Sequence, residues 1–377
     1  MKNSILLISV FLAVTAFLIP AKSYCQTAEE YCKSAAEKAS NSDYSGAIAD
    51  YTKALELKPD MASAYAGRGY VMYRANDFGA AIDDCNKCIA LDAGNAQAYS
   101  TRGLAKYNSF DSDGAIVDYT KAIALDPENV QAYFYRGTLE NEREEYAAAL
   151  ADFEKVIKIA PDNSEAYNGR GLAKIELKDS KGAIEDFNKA IEISPRLAAA
   201  FYNRGHANFF LSDKSLCLAD FTKAIEIDPN YLLAYYSRGH AKNHSRDYAG
   251  AIADFSRMIE IDPATTTGYG DRGSIKYSIK DFAGALEDFN KDIEINPEFG
   301  EAYNNRGLVK SELKDFNGAI ADFTKVIELN PEHDEAYYNR GMAKINSGAK
   351  DAGCADLKRA SELGYAKAKE ALAKFCK

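Results

Sequence analysis

The sequence predicts an all-α chain built as a solenoid of tandem helix-turn-helix copies, and three observations carry that prediction. An Arg-Gly pair recurs every 34 residues, at Arg68, Arg102, Arg136, Arg170, Arg204, Arg238, Arg272, Arg306 and Arg340. Within each copy the apolar residues recur at helical rather than alternating spacing. Most copies end at a proline, which pushes the residue before it out of helical geometry. Units of this length cannot bury their apolar faces singly and do so by stacking.

One copy, residues 300–333, shows the elements in order. Residues 300–313 carry Ala302, Tyr303, Gly307, Leu308 and Val309 at helical spacing, and residues 316–329 repeat the pattern with Ala319, Ile320, Phe323, Val326 and Ile327. Lys314-Asp315 leaves room only for a tight antiparallel turn, and Pro331 ends the second helix. Gly307 and Ala319 have almost no side chain, so the two helix axes can approach closely.

These residues resemble the tetratricopeptide repeat (TPR) family, whose 34-residue pattern asks for an aromatic at position 4, Gly at 8, Ala at 20, an aromatic at 24, Ala at 27 and Pro at 32. Here those slots hold Tyr303, Gly307, Ala319, Phe323, Val326 and Pro331. The resemblance spans ten copies over residues 28–365 and implies a right-handed superhelical solenoid. Departures are local: Ser34-Ala35 replaces Arg-Gly in the first copy, Ala93 replaces Pro in the second, Cys217 the tight Ala in the sixth, and Asp292 the Ala of position 27 in the eighth. Residues 366–377 read as a C-terminal capping helix.

Residues 1–23 differ in kind. Lys2 supplies positive charge, residues 5–19 are apolar, and Ala21-Lys22-Ser23 offers small residues before a cut, so the segment reads as a secretory signal peptide. The apolar run is shorter than the roughly 20 residues that span a bilayer. Cleavage after Ser23 removes Lys2 and Lys22 and no acid, taking the formal charge from −10 to −12. Residues 24–27 form a short lead segment; Lys22 and Tyr24 disfavour a lipid anchor on Cys25. The expected location is the periplasm or beyond.

The acidic balance argues against nucleic acid, which asks for a basic stripe. Export permits disulfides among the seven cysteines, and Cys354 with Cys376 is the best candidate, because the terminal helix should fold back on the last copy. Cys85 and Cys88 spell CxxC, but they occupy positions 24 and 27, where other copies bury Phe and Ala, and no second CxxC completes a zinc site.

Position 23 is Asp in every copy: Asp50, Asp84, Asp118, Asp152, Asp186, Asp220, Asp254, Asp288, Asp322 and Asp356. With the arginines of position 7 these predict a structural ladder of ion pairs. Each Arg could meet the Asp sixteen residues later in its own copy or the one eighteen residues earlier. Ser34, with no earlier Asp to meet, tips the expectation toward the preceding copy.

The resemblance also implies a concave groove lined by the first helices. The copies present Tyr70, Tyr73, Tyr107, Phe134, Tyr135, Asn168, Tyr202, Asn203, His206 and Phe209 there, then Tyr236, His240, His244, Asp271, Tyr277, Asn305, Tyr338 and Asn339. Aromatics and amides suit an extended or helical protein segment. The carboxylate clamp of chaperone-binding relatives is not kept, since position 9 holds residues such as Tyr70, Leu104 and His206. His240 and His244 stand four apart, with His206 one copy away, yet no further Cys or Asp pattern completes a metal sphere. No Gly-rich phosphate loop, GxSxG or HExxH is present. The expectation is a non-enzymatic protein-interaction scaffold of the cell envelope without cofactor or metal. The alternative is a metal- or thiol-bearing accessory protein, or the non-catalytic subunit of an envelope assembly.

Overall fold

The computed structural model describes residues 26–210 and 214–377; residues 1–23 with their expected cleavage site, and Cys25, lie outside them. The described residues form α-helices without strands: α1 (Ala28–Ser40), α2 (Tyr44–Leu57), α3 (Ala62–Arg74), α4 (Phe78–Leu91), α5 (Ala96–Asn108), α6 (Ser112–Leu125) and α7 (Val130–Glu142). They continue with α8 (Tyr146–Ile159), α9 (Ser164–Glu176), α10 (Ser180–Ile193), α11 (Ala198–Phe210), α12 (Lys214–Ile227), α13 (Leu232–His244) and α14 (Tyr248–Ile261). The last are α15 (Thr266–Ser278), α16 (Phe282–Ile295), α17 (Gly300–Glu312), α18 (Phe316–Leu329), α19 (Asp334–Asn346), α20 (Lys350–Leu363) and α21 (Ala366–Phe375). This is an all-α solenoid of helix hairpins, whose described residues fall into two compact units that divide between Tyr135 and Arg136.

In the copy at residues 300–333 the turn inside the hairpin is one residue longer than the sequence suggests. Leu313, Lys314 and Asp315 separate α17 from α18, and Lys314 takes the left-handed conformation at φ 63°. Its N–H donates to the Ser311 carbonyl and that of Asp315 to the Lys310 carbonyl, so the last turn of α17 is closed by paired C-terminal bonds. Ser42, Asn76, Phe110, Glu144, Lys178, Arg246 and Lys280 repeat the left-handed residue, and Gly348 does so in the last hairpin. A non-glycine side chain is mildly strained there, and the bonds on either side hold it. Asp315 then caps α18, accepting from the Gly318 N–H at 3.0 Å.

Within a hairpin the aromatic of position 24 fills the space that glycine leaves. A Cβ on Gly307 would lie 2.7 Å from the Phe323 ring, which is fully buried. Phe153, Phe187, Phe221, Phe255 and Phe289 occupy the same column, equally enclosed. In the second unit one buried cluster runs from Phe201 through Ile225, Tyr235 and Phe255 to Ile275, spanning neighbouring hairpins.

The ladder exists in the register opposite to the one the sequence favoured. Arg306 donates from Nε to Asp322 Oδ2 at 3.0 Å and from Nη2 to Oδ1 at 2.6 Å, a two-point pair within its own copy. Arg68–Asp84, Arg102–Asp118, Arg136–Asp152, Arg170–Asp186, Arg204–Asp220, Arg238–Asp254, Arg272–Asp288 and Arg340–Asp356 pair likewise. The preceding copy contributes a neutral acceptor instead: Arg306 Nη1 reaches Asn290 Oδ1 at 2.7 Å, and Arg238 and Arg272 reach Thr222 and Ser256. Asp50, lacking an Arg, is held by Lys38 and Ser34, which keep its carboxyl below the usual range. Arginines of this column also lie over the aromatic three residues before them, as Arg306 does over Tyr303 at 5.5 Å.

A column that sequence reading missed stands at position 11. Lys106, Lys174, Lys242, Lys276, Lys310 and Lys344 add a second cation to the same Asp, at 2.7–2.9 Å. The fourth copy breaks this with an acid: Glu140, 8% exposed, stands beside Arg136 and Asp152, and its Oε2 has no hydrogen-bond partner. Burial first, and Asp152 second, push its carboxyl up to about 7.

Two expectations follow from these charges. Arg204→Leu leaves Asp220 buried without its cation and should cost about 3–5 kcal/mol, read from urea denaturation midpoints; a loss below about 0.5 kcal/mol would contradict the structural role of the ladder. Glu140 keeps its proton more tightly folded than unfolded, so its contribution is present below its ordinary pKa of 4.5 and fades as pH rises to about 7. Glu140→Lys should therefore raise stability at pH 8 by about 1–3 kcal/mol relative to its effect at pH 4.5.

Candidate functional site

The residues assigned to the groove stand on the first helix of each hairpin, and the structure divides them by what they touch. On α11 and α13, His206, Phe209, Tyr236, Ser237 and His240 line a cavity of about 300 Å³ floored by Phe221. Phe209 keeps 38% of its surface exposed although it is wholly apolar. Tyr202 stacks on His206 at 6.1 Å between ring centres and tilts against Tyr231 at 5.3 Å. Tyr236 meets His240 edge to face at 4.4 Å, and His240 in turn meets Phe255 at 5.4 Å. Burial holds the His206 imidazole below its ordinary value, against the opposing field of Glu176.

His240 is also the link to a second cavity. Its Nε2 lies 3.2 Å from Asp271 Oδ2, and Asp271 lines a polar cavity of about 190 Å³ with Tyr236, Ser274, Asp292, Glu301 and Asn305. Tyr236 is common to both cavities. Asp292 is 1% exposed, and neither of its carboxyl oxygens has a hydrogen-bond partner. Burial, then Glu301 and Asp271, push its carboxyl up to about 6. Sequence reading noted Asp292 only as a departure from the repeat; the signal was there, an acid in a column that is otherwise apolar.

Other assigned residues are engaged with one another. Asn203 Nδ2 donates to Asn168 Oδ1 at 2.9 Å, and Asn339 Nδ2 donates to Asn304 Oδ1 at 3.3 Å, so these amides bridge adjacent first helices. Tyr338 packs on Tyr365 at 4.9 Å, and Tyr277 on Phe282 at 5.9 Å. His244 ends α13 and is exposed, while His240 turns to Asp271, so the pair does not converge. Among the described residues no three His, Cys, Asp or Glu side chains lie close enough to hold a metal ion.

In the first unit, Tyr70 accepts from Arg74 Nη1 at 3.2 Å, and both line a cavity of about 340 Å³ with Tyr44 and Tyr51. Tyr73 packs on Phe78, and Phe134 meets Tyr135 edge to face at 5.3 Å. Tyr107 stands on α5, half-buried.

The cysteines divide as their burial dictates. Cys354 and Cys376 form a disulfide with their Cα atoms 5.7 Å apart, tying α20 to the end of α21. Cys85 and Cys88 are fully buried free thiols, which burial pushes up to about 12 and about 11. They are thiols rather than thiolates at neutral pH and pack as small apolar groups. No helix among the described residues is long and apolar enough to cross a membrane.

Family models for the tetratricopeptide repeat match residues 38–76, 101–164, 171–211, 198–231 and 300–333. Among solved structures, a tetratricopeptide repeat protein from Parabacteroides merdae is similar at 20% identity and a TM-score of 0.52, over 66% of this chain and 98% of that one. MamA is similar at 29% identity and a TM-score of 0.40, over 44% of this chain and 96% of its own. YrrB, described as a TPR protein with an unusual peptide-binding site, is similar at 23% identity and 0.44, over 50% and 98%. No curated protein matches the chain in sequence. With one 34-residue copy folded again and again as a helix hairpin, and family matches along more than half its length, the chain belongs to the tetratricopeptide repeat family.

Proposed function

We propose that the chain is a non-enzymatic scaffold that holds a segment of another protein against its first-helix face, centred on α11 and α13. The observation that carries this is the cavity of about 300 Å³ with an exposed Phe209, walled by His206, Tyr236 and His240. Exposed aromatic surface beside hydrogen-bonding rings is the composition of binding hot spots. Some polar groups elsewhere on this face are engaged with each other, as Asn168 is with Asn203 and Asn304 with Asn339, while the aromatic cleft stays open.

We further propose that the protein works outside the cytoplasm, in the envelope or beyond. The charged, apolar and small residues of 1–23 support export, and the bridge between Cys354 and Cys376 suits an oxidising compartment.

Affinity capture from native envelope extracts should recover a protein partner with the wild-type chain. Phe209→Ala combined with Tyr236→Ala should weaken capture by roughly 30-fold or more while circular dichroism stays unchanged. Equal capture by the folded variant would count against the cleft. N-terminal sequencing of the secreted protein should begin at Tyr24; retention of Met1 would count against export by cleavage.

A further inference from the structure

We propose that the open polar cavity lined mainly by α15, α16 and α17 receives a primary alkylammonium group, presented by a lysine side chain of the segment bound in the neighbouring cleft. The assignment of lysine as the source rests on the scaffold reading above; the ammonium site itself does not.

Asp292 is the starting point. Position 27 holds an apolar residue in the other copies, among them Ala54, Ala122, Ala190, Val326 and Ala360, and only the eighth has an acid. That carboxyl is 1% exposed, with both oxygens unpartnered, and it lines the cavity. A buried carboxyl without donors is costly, and N–H groups brought by a ligand would remove the cost. The charge around it has one sign. α16 packs against α15 and α17, and the charged groups that bear on Asp292 from them are Asp271 and Glu301, both acids. The field therefore selects a cation.

Geometry narrows the kind. Among the described residues no group of carboxyls that could hold a metal ion is found, so a bare metal ion is not the occupant these acids favour. They come from three different helices, α15, α16 and α17, so their oxygens approach the space from separate elements. A tetrahedral ammonium radiates three N–H donors and suits that arrangement; the planar fork of guanidinium is matched to both oxygens of one carboxylate. At about 190 Å³ the cavity falls below the size of a drug-sized site and fits a single side chain. Tyr236 and Phe299 provide apolar wall for a methylene stem, and Asn305 adds a neutral acceptor. Because Tyr236 also walls the aromatic cleft, a segment lying there would have its side chains within reach of the acids.

The test titrates the full chain with n-butylammonium chloride and follows the amide NMR signals of Gly270, Asp292 and Asn305. Saturable shifts are expected with n-butylammonium and not with n-butanol. Binding should weaken roughly tenfold per pH unit below about 6, as Asp292 takes up its proton. Asp292→Asn should lose binding at least tenfold. Asp292→Ala should lose it too and raise the melting temperature, because it restores the small apolar residue of the other copies. Equal shifts with n-butanol, tighter binding of n-butylguanidinium, or full binding by either variant would overturn the assignment. Failure of the cleft reading is separately visible: Phe209→Ala with Tyr236→Ala would capture partner normally, whatever n-butylammonium does at Asp292.

Discussion

The structure depends on a carboxylate placed where water cannot reach it. Every copy buries an Asp at position 23, and a buried carboxylate is tolerable only with a cation set against it in good geometry. The arginine of position 7 meets that demand with Nε and Nη2, and where the copy before offers a hydroxyl or amide its remaining Nη1 extends to it, as from Arg340 to Thr324. One side chain thus closes its own hairpin and binds it to its neighbour. The aromatic beneath the guanidinium and the lysine of position 11 complete the enclosure. Stability in such an array is a sum of hairpin and neighbour terms, and this arginine enters both.

Against so regular a frame, the exceptions are what carry information, and their meaning depends on where they face. Glu140 puts an acid where seven other copies carry a lysine paired with the Asp of their own copy, and it faces Arg136 and Asp152 inside a hairpin. Its effect is on folding stability and the pH dependence of that stability. Asp292 puts an acid where other copies carry an apolar group, and it faces a cavity. The same kind of substitution is in one case an internal burden and in the other a potential recognition group. Cys85 and Cys88 show the opposite situation: a motif associated with redox and metal chemistry sits in two core columns, and burial leaves both sulfurs protonated and enclosed.

The groove residues illustrate how far column reading extends. Their assignment to the first-helix groove came with the family resemblance, and Tyr236, His240 and Phe209 stand together on one cavity. Asn168 and Asn203 belonged to the same columns, yet they hydrogen-bond each other, because positions 5 and 6 of successive first helices lie side by side. An amide's usefulness to a partner is set by whether its neighbour already satisfies it, and that neighbour is a copy away in sequence.

What the sequence determined by itself is the unit. A 34-residue period, helical spacing within it, small residues at positions 8 and 20 and a large ring at 24 leave little choice but stacked helix hairpins, because every constraint is local or repeats. What only the tertiary structure decided is which partner each polar group takes. Arg306 is sixteen residues from Asp322 and eighteen from Asp288, a difference that sequence distance cannot weigh. The packing of α17 on α18 puts the Asp322 oxygens against Nε and Nη2 of the guanidinium and leaves Nη1 for the preceding copy. The same packing leaves both Asp292 oxygens without a hydrogen-bond partner, and the charged groups that act on it are the acids Glu301 and Asp271. Directional bonds and burial are properties of three-dimensional neighbours, and no column of residues contains them.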